Sequence, residues 1–280
     1  MKRYSYQQVD VFTAVPLKGN PLAVVMAADG VTDAQMAAFA NWTNLSETTF
    51  LLTPTDPTAD YRVRIFTPER ELPFAGHPTL GSCHAWLTAG GKPKSDLVVQ
   101  ECGVGLIRIR RDGQRLAFAA PPLIRSGPVD AETLATIARG IGVAPLAIKS
   151  AQWADNGPGW VAAMLGSRAE VLAVKPDYDK LGGLKLGLVA PWDPAADGNE
   201  AQFEVRALVS GSPPKEDPVT GSLNAAIAQW LIGAGLAPTS YVASQGTVLG
   251  RAGRVFVDKQ GADVWIGGRS ITVIEGAVGF

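Results

Sequence analysis

Apolar and polar residues alternate with a period of two in a series of short runs, the pattern of half-buried strands. The runs are Tyr6–Phe12, Leu22–Met26, Thr48–Leu52, Tyr61–Phe66, Leu97–Glu101, Val104–Arg110 and Arg115–Ala119. Asp112-Gly113 between the last two is a hairpin signal, because this dipeptide readily takes the positive φ angles of tight β-turns. A helical period opens after Thr32: Met36, Phe39 and Ala40 supply an apolar face, and Gln35 stands three residues beyond the threonine as in a capping box. Asp130 is placed to cap another helix ending near Gly140.

The pattern repeats. Glu71-Leu-Pro-Phe-Ala-Gly76-His77 is echoed 145 residues later by Glu216-Asp-Pro-Val-Thr-Gly221-Ser222. Each copy leads into a small-residue, nearly all-apolar segment with a tryptophan, Trp86 or Trp230, and helices are predicted over His77–Ala89 and Ser222–Gly233. Each follows an arginine-bearing strand, Arg62–Phe66 or Phe203–Leu208, and precedes a strand pair turned at Asp112-Gly113 or at Asp258-Lys-Gln-Gly261. Agreement over strand, loop, helix and hairpin points to gene duplication. A helix without a polar face must be buried, so the predicted class is α+β: two duplicated domains, each a mostly antiparallel sheet wrapped around a central helix. Pro121-Pro122 ends the first half, giving domains over 1–121 and 122–280, with Ile271–Val278 able to return as a strand to the first.

Composition narrows the partners. A length of 280 residues suits two domains better than one, and 46% apolar with 18% charged residues provides cores without a disordered tail. Glycine (31) and proline (20) are plentiful, so elements should be short. A net charge of −1 with scattered basic residues marks no surface for nucleic acid or an anionic membrane, which leaves a small molecule as the expected partner. The N-terminus lacks the apolar stretch of a secretory signal, and no run approaches the ~18 apolar residues of a membrane span, so a cytoplasmic location is expected. Cys83 and Cys102 lack CxxC spacing and read as core thiols. With two histidines, His77 and His84, and no HExxH motif, no metal site is expected, and His84 reads as a core or edge residue.

The repeat also bears on chemistry. A helix start leaves backbone N–H groups unpaired, and glycine there lets an anion such as a carboxylate approach. Ala75-Gly76-His77 and Thr220-Gly221-Ser222 are two such starts. Packed about a pseudo-twofold axis, they would hold a substrate acid between them. A lone glycine at a strand-to-helix junction would mean little; matching glycines, each followed by a polar side chain, mean more. In Asn44-Leu-Ser-Glu47-Thr-Thr-Phe50 a carboxylate sits between helix and strand beside apolar neighbours. Glu47 is either an exposed turn residue or a partly desolvated acid whose pKa rises toward the range of a general acid/base.

The runs Gly19-Asn-Pro-Leu-Ala-Val-Val25, Asn44–Phe50, Glu71-Leu-Pro-Phe-Ala-Gly-His-Pro-Thr-Leu-Gly81, Glu216–Ser222, Ser244-Gln-Gly246 and Gly250-Arg-Ala-Gly-Arg254 resemble, in this order and over nearly the whole chain, the phenazine-biosynthesis (PhzF-like) isomerase family. The resemblance implies a diaminopimelate-epimerase-like fold with the active site between two domains, usually in a homodimer, and no cofactor. It implies proton movement across a cyclohexadiene carboxylic acid, with Glu47 as shuttle, His77 and Asp217 beside it, and Gly76, Thr220, Gly221 and Ser222 binding the substrate. His77 can equally be a hydrogen-bond donor without a proton role. Asp217 precedes Pro218 and can be a turn residue, although its repeat partner Leu72 is apolar, which favours function. Relatives that racemise amino acids carry a cysteine before each helix-start glycine; Ala75 and Thr220 stand there in this chain, which excludes a two-thiol mechanism. Many relatives have an aromatic residue and a short loop before the second motif, where this chain has Arg206–Lys215, so the substrate stays open. The expectation is a cofactor-independent isomerase of a small, cyclic carboxylic acid. A non-catalytic acid-binding or scaffold dimer and a thiol-free amino-acid epimerase are the alternatives.

Overall fold

The computed structural model describes residues 1–210 and 215–280, and the chain divides into two compact units: Met1–Ala119 with Gly267–Phe280, and Ala120–Ile266. In the first, β1 (Arg3–Val11) pairs antiparallel with β2 (Asn20–Val25), and helix α1 (Asp33–Thr43) carries the chain over to β3 (Glu47–Leu52), parallel to β2. Next, β4 (Tyr61–Phe66) lies antiparallel to β3 and bears the short β5 (Glu71–Leu72); helix α2 (Gly76–Thr88) then leads to β6 (Val98–Cys102), parallel to β4. Strands β7 (Gly105–Asp112) and β8 (Arg115–Ala119) follow as antiparallel neighbours. Each parallel step is bridged by a helix, as a crossover requires.

Local sequence explains these ends. Thr32 and Gln35 form the reciprocal capping box of α1, and Asn44 closes that helix in the left-handed region at φ 54°. The β7–β8 hairpin turns on Gly113 at φ 57°, the first central position, where a II′ turn needs glycine.

The second unit repeats the order. After β9 (Arg125–Pro128) and α3 (Ala131–Ile141) come β10 (Ser150–Asp155), β11 (Trp160–Met164), α4 (Arg168–Ala173) and β12 (Lys185–Pro191). Then follow α5 (Pro194–Asp197), β13 (Phe203–Val209), β14 (Lys215–Asp217), α6 (Gly221–Gly233), β15 (Ser240–Gln245), β16 (Gly253–Gln260) and β17 (Asp263–Gly279). Strand β12 is parallel to β11 across α4, and β15 is parallel to β13 across α6, as in the first unit. The outer strands also correspond. Residues Ser270–Gly279 of β17 pair antiparallel with β1, and β9, which follows β8 in the chain, pairs antiparallel with β10. Asp130 caps α3, which ends on Gly142 at φ 71°.

Helices α2 and α6 are buried along most of their length, and two hydroxyls of α2 are matched: Ser82 Oγ donates to Thr49 Oγ1 at 2.9 Å, and Gln100 Nε2 donates to Thr79 Oγ1 at 3.0 Å. Both helices lie against a strand at a glycine, but on opposite partners. In the first unit the glycine is on the helix, where a Cβ on Gly81 would stand 2.5 Å from Leu22 Cδ2. In the second it is on the strand, where a Cβ on Gly187 would stand 2.4 Å from Leu223 Cδ1. Trp86 stacks on Tyr61 with ring centroids 5.3 Å apart. No helix among the described residues is long and apolar enough to cross a membrane.

Candidate active site

Glu47 is the first residue of β3, three positions past the left-handed Asn44 that ends α1. The β2–β3 register sets it opposite Leu22. Its side chain is 17% exposed, and Oε2 lies 3.2 Å from Nδ1 of His77, whose side chain is 5% exposed. This is the desolvated placement rather than the exposed turn. His77 is the second residue of α2, after Gly76; the residue ahead of the helix, Ala75, has no side-chain hydrogen bond to cap it. A third group, Asn20 Nδ2, comes within 3.5 Å of His77 Nδ1. Asn20 is fully buried at the start of β2, and the turn before it is tied down by Asp10, whose carboxylate accepts the Lys18 N–H at 2.8 Å and the Gly19 N–H at 3.0 Å. A Cβ on Gly19 would stand 2.1 Å from Val11 O, so this Gly-Asn run needs its glycine.

The second unit places its own group at the start of α6. Thr220 precedes the helix without capping it, because its hydroxyl donates to Asp217 Oδ2 instead. Asp217 ends β14, which is held against β13 in the register Ala207↔Asp217. Gln245, fully buried at the end of β15, ties this turn together: Oε1 accepts from Thr220 N–H at 3.0 Å and from Asn224 Nδ2 at 2.8 Å, while Nε2 donates to Asp217 O and Thr220 Oγ1, each at 3.0 Å. Ser222 Oγ accepts from Trp160 Nε1 at 3.0 Å, and Ser222 O accepts from Asn156 Nδ2 at 2.9 Å. Indole is a donor only, so the Ser222 hydroxyl keeps its own hydrogen to give. Residues Gly211–Pro214 of the loop ahead of β14 lie outside the described residues.

The duplication reaches individual hydrogen bonds. Gln100 and Gln245 differ by the same 145 positions that separate Gly76 from Gly221, as do Thr79 and Asn224. In both units the side chain one turn into the helix donates to the carbonyl before it, Thr79 Oγ1 to Ala75 O and Asn224 Nδ2 to Thr220 O, each at 2.9 Å, and also bonds to the strand glutamine. The copies differ where chemistry was expected: Leu72 against Asp217, Ala75 against Thr220, His77 against Ser222.

Other candidates fall away from these groups. His84 Nε2 lies 3.0 Å from Thr272 Oγ1, and burial lowers its pKa below the ordinary imidazole value. Cys83 is fully buried, and desolvation pushes its thiol up to about 12. Asn20, Asn156, Trp160, Asn224 and Gln245 were not expected as site residues; only Asn20 and Gln245 carried a signal, each inside a short motif already noted.

Comparison with known proteins gives the class: relatives named as isomerases make this chain an enzyme of that kind. It belongs to the phenazine biosynthesis-like (PhzC–PhzF) family, whose sequence model matches residues 9–276. Antisense-enhancing sequence 1 of Schizosaccharomyces pombe is 34% identical, with 99% of both chains covered. Trans-2,3-dihydro-3-hydroxyanthranilate isomerase of Pseudomonas fluorescens is 35% identical over 64% of this chain and 63% of its own length. The crystal structure of a PhzF-family phenazine biosynthesis protein from Enterococcus faecalis superposes with a TM-score of 0.82 at 25% identity, covering 100% of both chains. The fold is thus the duplicated α+β fold of that family.

Proposed function

We propose that this enzyme moves a proton between two carbons of a small, cyclic carboxylic acid, without a cofactor. The observation that carries the reading is the Glu47–His77 pair at 3.2 Å, mostly buried, beside a helix start that no side chain caps. In the first step a substrate C–H bond breaks, the proton goes to the Glu47 carboxylate, and the electron pair spreads into the unsaturated system conjugated with the substrate's carboxylate. Glu47 then returns a proton to another carbon, after its carboxyl hydrogen has had the chance to trade with water, so composition and charge balance. His77, with Nδ1 at 3.2 Å from Oε2, stands beside the Glu47 carboxylate as its neighbour in the site. The helix-start N–H groups at Gly76 and Gly221 and the Ser222 hydroxyl are assigned to the substrate carboxylate, with Thr220 beside them, and Asp217 is a second catalytic acid. Ala75 and Thr220, where a thiol pair would stand, favour a carboxylate shuttle over two cysteines. A homodimer is part of the proposal; sedimentation should give twice the chain mass.

The test uses trans-2,3-dihydro-3-hydroxyanthranilate, the compound in the relative's name, in deuterated water. Wild-type protein should exchange a carbon-bound hydrogen, read by proton NMR. Glu47→Gln should slow exchange by about 10²–10⁴-fold, the usual worth of a positioned acid/base, while calorimetric affinity stays within a few fold. A Gln variant that exchanges as fast as the parent removes Glu47 from the mechanism. Binding by wild type with no exchange or product would instead favour a non-catalytic acid-binding protein.

A further inference from the structure

The Gln245 amide has one possible orientation. Thr220 N–H can only donate and the Asp217 carbonyl can only accept, so the atom facing the first is Oε1 and the atom facing the second is Nε2. Nε2 also donates to Thr220 Oγ1 at 3.0 Å, and that hydroxyl's hydrogen is therefore directed at Asp217 Oδ2. Donor and acceptor roles thus run one way, from amide to hydroxyl to carboxylate.

The chain around Gln245 is shaped to the same turn. Gly246, at φ 91°, would place a Cβ 2.7 Å from Pro218 O; a Cβ on Gly253 would stand 2.4 Å from Val219 Cγ2 and 2.9 Å from Gln245 O. No side chain fits at either position, and the Ser244-Gln-Gly246 and Gly250–Arg254 runs become a cradle for Asp217–Thr220. The first copy serves as an internal control. Gln100 likewise bonds its helix through Thr79, and accepts from Tyr61 Oη at 2.9 Å, but there is no hydroxyl at Ala75 and no acid at Leu72. The glutamine is common to both copies, whereas its connection to an acid belongs to the second.

We propose that Gln245 is a positioning residue for Asp217: acting through Thr220, it commits Oδ2 as a hydrogen-bond acceptor and so fixes how the carboxylate is turned and favours its charged form. This rests on the reading of Asp217 as a participant in the reaction.

The full-length chain labelled with ¹³C-aspartate gives the test, with the Asp217 Cγ resonance identified by its loss in Asp217→Asn. Thr220→Val removes the hydroxyl and should raise the Asp217 titration midpoint by about one pH unit, since a hydrogen bond to the charged form is lost; Thr220→Ser, which keeps the hydroxyl, should not move it. Gln245→Glu keeps the Oε1 contacts but offers an acceptor to the Thr220 hydroxyl, drawing its hydrogen away, and should raise the midpoint likewise. In the double variant with Thr220→Val the two shifts should be far from additive. An unmoved midpoint in Thr220→Val, or additive shifts in the double variant, overturns the proposal; should Gln245→Glu fail to fold, the Val and Ser variants decide it alone. In the exchange assay kcat should fall about tenfold in Gln245→Glu with KM little changed, the rate equivalent of a one-unit shift in the acid. If the midpoint moves and kcat does not, Gln245 still sets the carboxylate and it is the role of Asp217 in the reaction that fails.

Discussion

Glu71 and Glu216 hold the same place in the two copies, and each is gripped by an arginine fork. Arg64 reaches Glu71 through Nε and Nη2 at 2.7 Å each, and Arg206 reaches Glu216 at 3.0 and 2.8 Å. Burial separates them. The Arg206 and Glu216 side chains are 2% and 8% exposed, against 25% and 42% for Arg64 and Glu71. Glu216→Ala would leave a guanidinium out of water with no counterion at the fork. Removing one partner of a buried pair costs about 3–5 kcal/mol. Arg206 keeps two bonds, to Val171 O at 2.9 Å and Val174 O at 2.7 Å at the end of α4, where the helix dipole favours a cation. The expected loss is therefore at the lower end, about 3 kcal/mol. Glu71→Ala leaves Arg64 to water and to Asp33, and should cost about 0–1 kcal/mol, as surface pairs do. Urea unfolding of both variants and the parent at neutral pH, read by tryptophan fluorescence, measures the contrast. Equal losses in the two variants would refute the claim that burial, rather than fork geometry, decides what such a pair is worth.

Gly81→Ala would push a methyl group to 2.5 Å from Leu22 Cδ2 and 2.8 Å from Val11 Cγ2, an overpacking that should cost about 1–3 kcal/mol and lower the melting temperature. Because α2 carries Gly76 and His77, isomerase activity should fall with it; an unchanged melting temperature would contradict the close helix–strand approach. Both thiols are pushed up by burial, Cys83 to about 12, and the thiolate is the reactive form. Brief alkylation at pH 8 followed by mass spectrometry should mark the partly exposed Cys102 first and Cys83 only after unfolding. Native Cys83 labelling as fast as Cys102 would count against its place in the core.

Most of the first unit was legible because its strands are short, alternating and punctuated by turn residues: Tyr61–Phe66 and Arg115–Ala119 stand as read, while Val104–Arg110 became Gly105–Asp112. Strands β11 and β12 were not legible for a physical reason. Trp160–Met164 and Lys185–Pro191 are buried almost residue for residue, so no alternation marks them, and a continuous apolar run does not reveal its period. Helix α4, six residues long, is too short to show a 3.6-residue repeat. At the site, Glu47 was legible as a carboxylate between helix and strand beside apolar neighbours, and its pairing with His77 and Asp217 came from the family resemblance. Gln245 and Asn20 were not legible, because an amide gains its meaning from the tertiary partners that orient it, and sequence spacing does not supply those.

Duplication turns this into a question of which differences matter. Where the two copies agree, the residues hold the frame: the strand glutamines Gln100 and Gln245, the helix residues Thr79 and Asn224 that bond to them, and the arginine-gripped Glu71 and Glu216. Where they disagree, the positions stand at the mouths of the helices: Ala75 corresponds to Thr220, Leu72 to Asp217 and His77 to Ser222. A frame that satisfies its own buried amides in both copies leaves these helix-mouth positions free to vary without stranding a buried polar group. That is why one copy can present an imidazole beside Glu47 and the other a hydroxyl bonded to Asp217. It is also why substitutions at frame positions should show first in stability, and those at helix-mouth positions first in turnover.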